Sequence, residues 1–242
     1  VIKITSYIDH TLLKPTATHI DITKICNEAI EYRFAAVCVP PPLVAMAAAL
    51  VEGSGTGVKI KEQSATGGDW SMSEAEVKVA TVIGFPFGYS TVKAKLAEVE
   101  QAITDGADEL DIVINLVELK EGNRAYLEKE MQVLTDKVHA EGKIVKVIIE
   151  SGVLTDAEII QCCSIYSKVG VDFVKTSTGY AEKGATVEAV QLMRQHLPSN
   201  IKIKASGGIR TYEFARQLIA AGADRLGCSA SVAILAESLH GC

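Results

Sequence analysis

A (β/α)8 barrel is the fold class this sequence predicts, and three observations predict it. First, a helix-to-strand joint recurs as Gly106-Ala107-Asp108, Gly170-Val171-Asp172 and Gly222-Ala223-Asp224, with Glu141-Gly142-Lys143 as a looser copy. Glycine suits the left-handed position that ends a helix. Repeated helix–glycine–strand joints therefore mean βα units around a parallel sheet. Second, eight short apolar runs read as strands buried on both faces. Third, a chain of 242 residues suits a barrel of this kind as one domain spanning 1–242. The open doubly wound sheet is the structural alternative. It would want a glycine-rich phosphate loop after its first strand, and Asp9-His10-Thr11-Leu12 offers none.

The expected strands, in order, are Ser6–His10, Ala35–Val39, Val77–Ile83, Glu109–Ile114, Ile144–Glu150, Phe173–Thr176, Ile201–Ala205 and Arg225–Gly227. Helical faces follow from apolar residues spaced three and four apart. They are Ile22, Ile25, Cys26, Ala29 and Ile30; then Val92, Leu96, Val99 and Ile103; then Leu127, Met131, Leu134 and Val138. Thr155 with Glu158, and Ser73 with Glu76, have capping-box spacing. Later helices are expected over Thr186–Leu197, Thr211–Ala221 and Ser231–Leu239. One stretch breaks the rhythm. Residues 52–73 are polar and rich in glycine and serine, and they carry the single tryptophan, Trp70. A surface insertion is the preferred reading over a nucleotide loop, because no Gly-Lys-Ser/Thr follows the glycines. Val58-Lys59-Ile60 resembles Val77-Lys78-Val79, which leaves the start of the third strand ambiguous.

Composition narrows the function classes. The formal net charge is -6, against the basic stripe that a nucleic-acid partner would need. No apolar run approaches the roughly 18 residues of a membrane span. The opening VIKITSYIDH has no apolar core of a signal peptide. The six cysteines, Cys26, Cys38, Cys162, Cys163, Cys228 and Cys242, show no CxxC spacing. They read as reduced thiols, and the expected location is cytoplasmic.

Active residues of such a barrel sit at the C-terminal ends of its strands. Charged residues at those positions are Asp9, Asp111, Lys146, Lys175 and Lys204. A lysine inside a short apolar strand is costly to bury as a cation. Its bland reading is a side chain snorkelling from a strand end. Several in one layer with an aspartate favour an active site, where neighbouring cations could leave one amine neutral and nucleophilic. Alternation puts Lys202 and Lys204 on one face, and Lys204 is nearer the C-terminal end. Ser206-Gly207-Gly208-Ile209-Arg210 and Gly227-Cys228-Ser229-Ala230 follow the seventh and eighth strands, where bare amides and a helix start suit a phosphate. The five histidines form no pair at ligand spacing, so no metal is expected. Cys38 ends the second strand, either facing the pocket or as a buried structural thiol.

These residues carry a resemblance. The segments Ile8-Asp9-His10-Thr11-Leu12-Leu13-Lys14-Pro15, Ala36-Val37-Cys38-Val39, Ala80-Thr81-Val82-Ile83-Gly84-Phe85-Pro86 and Lys146-Val147-Ile148-Ile149-Glu150 resemble the deoxyribose-phosphate aldolase family. So do Val174-Lys175-Thr176-Ser177-Thr178-Gly179, Lys204-Ala205-Ser206-Gly207-Gly208-Ile209-Arg210 and Gly227-Cys228-Ser229. The match runs in order from about Ser6 to Leu235. The resemblance implies a class I aldolase on a TIM barrel, working through a lysine Schiff base without metal or other cofactor. It implies Lys175 as the imine-forming lysine, with Asp111 and Lys204 in proton relay. Phosphate contacts would fall on Gly179, Gly207, Gly208 and Ser229, and Asp9, Cys38, Lys146 and Thr178 complete the expected substrate-binding set. The expected partner is a small phosphorylated sugar, with neither nucleic acid nor membrane; a homo-oligomer, dimer or tetramer, is left open. The chain departs from the family in four places. Tyr180 stands where many members carry lysine or phenylalanine, so a cationic phosphate contact is absent there. Ala230 replaces a serine of some members, residues 52–73 exceed the expected length, and the chain ends Leu239-His240-Gly241-Cys242 without the terminal tyrosine of some members. The alternatives are a Schiff-base barrel aldolase of transaldolase type and a catalytically silent phosphosugar-binding barrel.

Overall fold

The computed structural model describes residues 3–53 and 76–240. Eight parallel strands close into a barrel in the order of the chain. They are β1 (Ile8–Thr11), β2 (Ala36–Val39), β3 (Lys78–Ile83) and β4 (Glu109–Val113). The circle continues with β5 (Ile144–Ile148), β6 (Phe173–Lys175), β7 (Lys202–Ser206) and β8 (Arg225–Cys228), which pairs back onto β1. Around it run α1 (His19–Tyr32), α2 (Val44–Gly53), α3 (Val92–Thr104), α4 (Leu116–Lys120) and α5 (Arg124–Ala140). The ring is completed by α6 (Asp156–Val169), α7 (Val187–His196), α8 (Tyr212–Ala220) and α9 (Ser231–His240).

The recurrent joint does two jobs. Its glycines lie at positive φ, 96° at Gly106, 80° at Gly170 and 113° at Gly222, and so end each helix in the left-handed region. Its aspartates pin the sheet. The carboxylates of Asp108, Asp172 and Asp224 accept the backbone N–H of Val79, Val145 and Ile203, at 3.1, 2.9 and 2.8 Å. Each joint thereby ties the strand it opens to the one before it, satisfying an amide near the strand start that has no ladder partner.

Period-two alternation separates two interiors. Outward residues such as Val37, Leu110, Val147, Val174, Ile203 and Leu226 join the large apolar core beneath the helices. Inside the barrel, Ala36, Cys38, Ala80 and Val82 form an apolar patch. Much of the remaining lumen among the described residues is filled by charged side chains, with Lys146 over the Phe173 ring.

Several expectations need correction. Ser6 and Tyr7 belong to a 3-10 turn over Ile4–Tyr7, and β1 starts at Ile8. Glu150 is outside β5, in a left-handed conformation. Glu52 and Gly53 complete α2, so the expected insertion does not begin at 52; its remainder, with Trp70 and Val58-Lys59-Ile60, lies outside the described residues. β3 forms at the second of the two similar segments. Ser73 is outside the described residues, and Glu76 is followed by β3 instead of a helix; it pairs with Lys78 at 3.1 Å. The Thr155–Glu158 capping box is formed.

Candidate active site

Asp111, in β4, is the hub of the lumen. Its Oδ2 accepts from Lys175 of β6 and Lys204 of β7, both at 2.7 Å, and its Oδ1 accepts from Lys146 of β5 at 3.0 Å. Lys146 also lies 2.6 Å from Glu109, and Lys204 lies 2.5 Å from Asp9. Arg225, from β8, binds both Asp9 and Glu109. Strand register explains the stacking. Lys175 and Lys204 are level neighbours, whereas Lys146 is level with Phe173, two residues deeper. Lys175 ends the short β6 and is 2% exposed, against 0% for Lys146 and Lys204, so it is the amine nearest the mouth. Lys202 points the same way as Lys204 but sits at the open bottom, over the Phe173 ring.

The charges decide which lysine holds its proton least tightly. Three carboxylates (Asp9, Glu109, Asp111) face four basic groups (Lys146, Lys175, Lys204, Arg225). One basic group is thus in excess over the carboxylates paired within this cluster, which disfavours the charged form of the most weakly paired base. Lys146 and Lys204 each have two close carboxylates, which override the burial that would lower them and hold both above the ordinary lysine range. Lys175 shares only Asp111. Burial lowers it, the cation of Lys204 pushes further, and Asp111 opposes only in part. Lys175 is therefore the amine in this cluster whose proton affinity is lowered. Asp111 itself resists burial because three lysines surround it, and it is held well below the carboxylate range.

Cys38 faces this cluster from β2, and burial pushes its thiol up to about 11, so it is a neutral wall residue. Asp9 is fully buried between Arg225 and Lys204 and acts as support for Lys204. A cavity of about 260 Å³ opens over the patch, lined by Leu13, Pro40, Pro41, Val82, Phe85 and Glu98. Val82 is the register neighbour of Asp111, which places this apolar wall beside the charged hub.

The other rim is glycine. Gly179, Gly207 and Gly208 have φ of 87°, 88° and 79°, which only glycine adopts freely. A Cβ on Gly207 would come within 3.0 Å of the Gly184 Cα and 3.4 Å of the Gly179 Cα. The amides of Gly179, Gly207, Gly208 and Ser229 make no hydrogen bond to any described residue. Free backbone amides on glycine loops and near a helix start are groups that can receive an anion. Thr178 differs from expectation in its contacts: its hydroxyl donates to Glu150 and accepts the Tyr180 N–H at 3.0 Å.

Glu109, Arg225 and Glu150 escaped the sequence reading. For the first two the usable signal was present, since each is a charge inside a short apolar strand. Glu150 closed the expected fifth strand and so carried a strand-end charge too, but its contact with Thr178 depends on a backbone turn that the sequence does not show. Among the described residues, no group of three His, Cys, Asp or Glu is disposed to hold a metal ion.

The shared counter-ion has a stability consequence. Asp111→Ala leaves Lys146 and Lys204 with one carboxylate fewer in a closed lumen. Removing one partner of a buried ion pair costs about 3–5 kcal/mol. Urea unfolding of Asp111→Ala is expected to register a loss of that order, and an unchanged midpoint would refute the proposed charge balance.

Known proteins carry this architecture. The family model of the DeoC/LacD family aldolases matches residues 3–235. A deoxyribose-phosphate aldolase of Caldicellulosiruptor saccharolyticus is 46% identical over 97% of this chain and 98% of its own. One of Streptococcus gordonii is 48% identical over 96% of each. The solved tetrameric deoxyribose phosphate aldolase of Aeropyrum pernix superposes with a TM-score of 0.84 at 30% identity, covering 99% of this chain and 92% of that one. With the family model spanning nearly its whole length, and relatives this similar end to end, the chain belongs to the DeoC/LacD family of aldolases.

Proposed function

We propose that this single-domain barrel is a class I aldolase that reversibly cleaves 2-deoxy-D-ribose 5-phosphate to D-glyceraldehyde 3-phosphate and acetaldehyde. The observation that carries the reading is one buried amine, Lys175, its proton affinity lowered beside the Asp111–Lys204 pair. The neutral amine attacks the C1 aldehyde, and the carbinolamine hydroxyl leaves as water with a proton from the Lys204 cation, which gives the protonated imine. Lys204, left neutral by that step, takes the proton of the C3 hydroxyl through Asp111 as the C2–C3 bond breaks. Its electrons pass to the imine nitrogen, giving an enamine on Lys175 and free glyceraldehyde 3-phosphate. Protonation of the enamine at C2 and hydrolysis of the resulting imine release acetaldehyde and return the amine. Lys204 and Asp111, already 2.7 Å apart, need little rearrangement to relay that proton. The phosphate rests on the amides of Gly179, Gly207, Gly208 and Ser229, so that its binding energy orients the reacting carbons. No cofactor enters any step.

The free thiols of Cys26, Cys38, Cys162, Cys163 and Cys228 support a reducing, cytoplasmic setting. Assembly into a dimer or tetramer belongs to the same reading, supported by the tetramer of the Aeropyrum pernix relative.

The deciding experiment is release of glyceraldehyde 3-phosphate from the phosphorylated deoxysugar, with and without EDTA. Turnover in both is expected; no cleavage, or loss in EDTA that zinc restores, would reject the reading. Gly208→Val tests the phosphate cradle, because a β-branched residue cannot hold φ 79° and the turn must shift. Losing one hydrogen bond to a charged group costs about 1.5–3 kcal/mol. KM for the phosphorylated sugar should rise about 10- to 100-fold, and that for unphosphorylated deoxyribose far less. Equal rises would leave the glycine with a folding role only.

A further inference from the structure

Glu150 is buried, 4% exposed, and leaves β5 with φ 54° and ψ 55°. A residue with a side chain holds that conformation only where its surroundings fix it. Its backbone is held by the Val153 N–H, which donates to the Glu150 carbonyl at 3.1 Å, and its side chain by Thr178. The carboxylate accepts the Thr178 N–H at 3.2 Å on Oε1 and 3.3 Å on Oε2, and the Thr178 hydroxyl also donates to Oε2. The Thr178 Oγ1 in turn accepts the Tyr180 N–H at 3.0 Å. Tyr180 continues across the mouth: its hydroxyl donates to the Leu13 carbonyl at 2.8 Å, and its ring meets Phe85 edge-on at 5.3 Å. The residue enclosed by this chain of bonds is Gly179.

We propose that Glu150 is a positioning residue for the phosphate end of the substrate, its carboxylate setting the Thr178–Tyr180 turn so that the Gly179 amide faces the anion. The inference rests on the function proposed above. It has particular weight in this chain because Tyr180 supplies no cation, leaving phosphate recognition at this turn to amide geometry. The turn also packs on the second glycine loop, with the Gly179 Cα 3.4 Å from where a Cβ on Gly207 would stand, so a shift at Thr178 reaches both loops.

The test is the split between KM and kcat in Glu150→Gly, which tolerates the left-handed backbone and removes the carboxylate with its two methylenes. KM for 2-deoxyribose 5-phosphate should rise about tenfold with kcat within about twofold, and KM for unphosphorylated deoxyribose should change much less. Glu150→Gln, which can still accept the Thr178 N–H, should recover part of the loss. Thr178→Val reads the same link should Glu150→Gly fail to fold, and combining the two substitutions should add little. Equal KM changes for both sugars, a fall in kcat alone, or full additivity would overturn the proposal. If the wild-type protein does not cleave the phosphorylated sugar, the functional reading fails and inorganic phosphate becomes the probe. Calorimetry should then find phosphate bound about tenfold more weakly by Thr178→Val than by wild type. Equal affinities, or no binding by wild type, would overturn the positioning role by itself.

Discussion

Lys175→Ala is expected to abolish turnover, with kcat falling by about 10⁵-fold or more, the scale seen when a covalent nucleophile is deleted. The fold should survive. The neutral amine contributes no charge to the lumen, so Asp111 keeps Lys146 and Lys204 as partners when it is removed. Lys175→Ala should therefore melt within a few degrees of wild type, in contrast to Asp111→Ala. Borohydride with acetaldehyde should reduce the imine onto wild-type protein and add mass to the tryptic peptide that contains Lys175. Label on the peptide of Lys146 or Lys204 would overturn the assignment. So would a Lys175→Ala protein that is still inactivated by the same treatment.

Lys204→Leu should be nearly as inactive near neutral pH, for a reason that its pH profile can separate. Without Lys204 the lumen holds three carboxylates against Lys146, Arg225 and Lys175, and balance now favours the charged form of Lys175. In the intact site burial first, and the Lys204 cation second, hold Lys175 below its ordinary range. Deleting that cation raises the folded-state value of Lys175. The reaction needs the unprotonated amine, so the rising limb of the rate moves toward alkaline pH. A tenfold gain in the proton affinity of Lys175 corresponds to about 1.4 kcal/mol of lost charge interaction. Partial recovery at high pH would mean that charge tuning is the larger part of the Lys204 role. Failure to recover at any pH would assign Lys204 to proton transfer itself. Lys204→Arg separates the two further, because it restores the cation but shuttles protons poorly. A Lys204→Leu protein with wild-type kcat and pH profile would reduce Lys204 to a strand-end residue.

How much could be read from the chain varied with the range of the physics involved. The joints at Gly106, Gly170 and Gly222 were readable because a left-handed helix end is a local demand on one residue. That the adjacent Asp108, Asp172 and Asp224 bind the preceding strand was not, since the amides they accept lie 29, 27 and 21 residues away. Helix α2 was missed for another reason. Val44–Gly53 is nearly all apolar or alanine, and it shows no polar face from which a helical period could be read. Glu76 departs in the opposite sense: capping-box spacing is a local pattern, and the chain after Glu76 pairs as β3 with β2 and β4.

The site divides along the same line. Charged residues within apolar strands marked Asp111, Lys146, Lys175 and Lys204 from composition and alternation alone, because burying a charge is costly wherever the strand lies. The order of those charges required the closed barrel. Lys175 and Lys204 are 29 positions apart and Asp111 is far from both, yet strand register sets them level and lets one carboxylate oxygen bind two amines. Only that arrangement singles out the lysine with one close carboxylate partner instead of two, the one proposed as nucleophile. Sequence alone thus named the reactive residue types and the strand ends that bear them. Their protonation states, and the hold of Glu150 on Thr178, arise from distances that exist only once eight strands have closed and shut water out of the lumen.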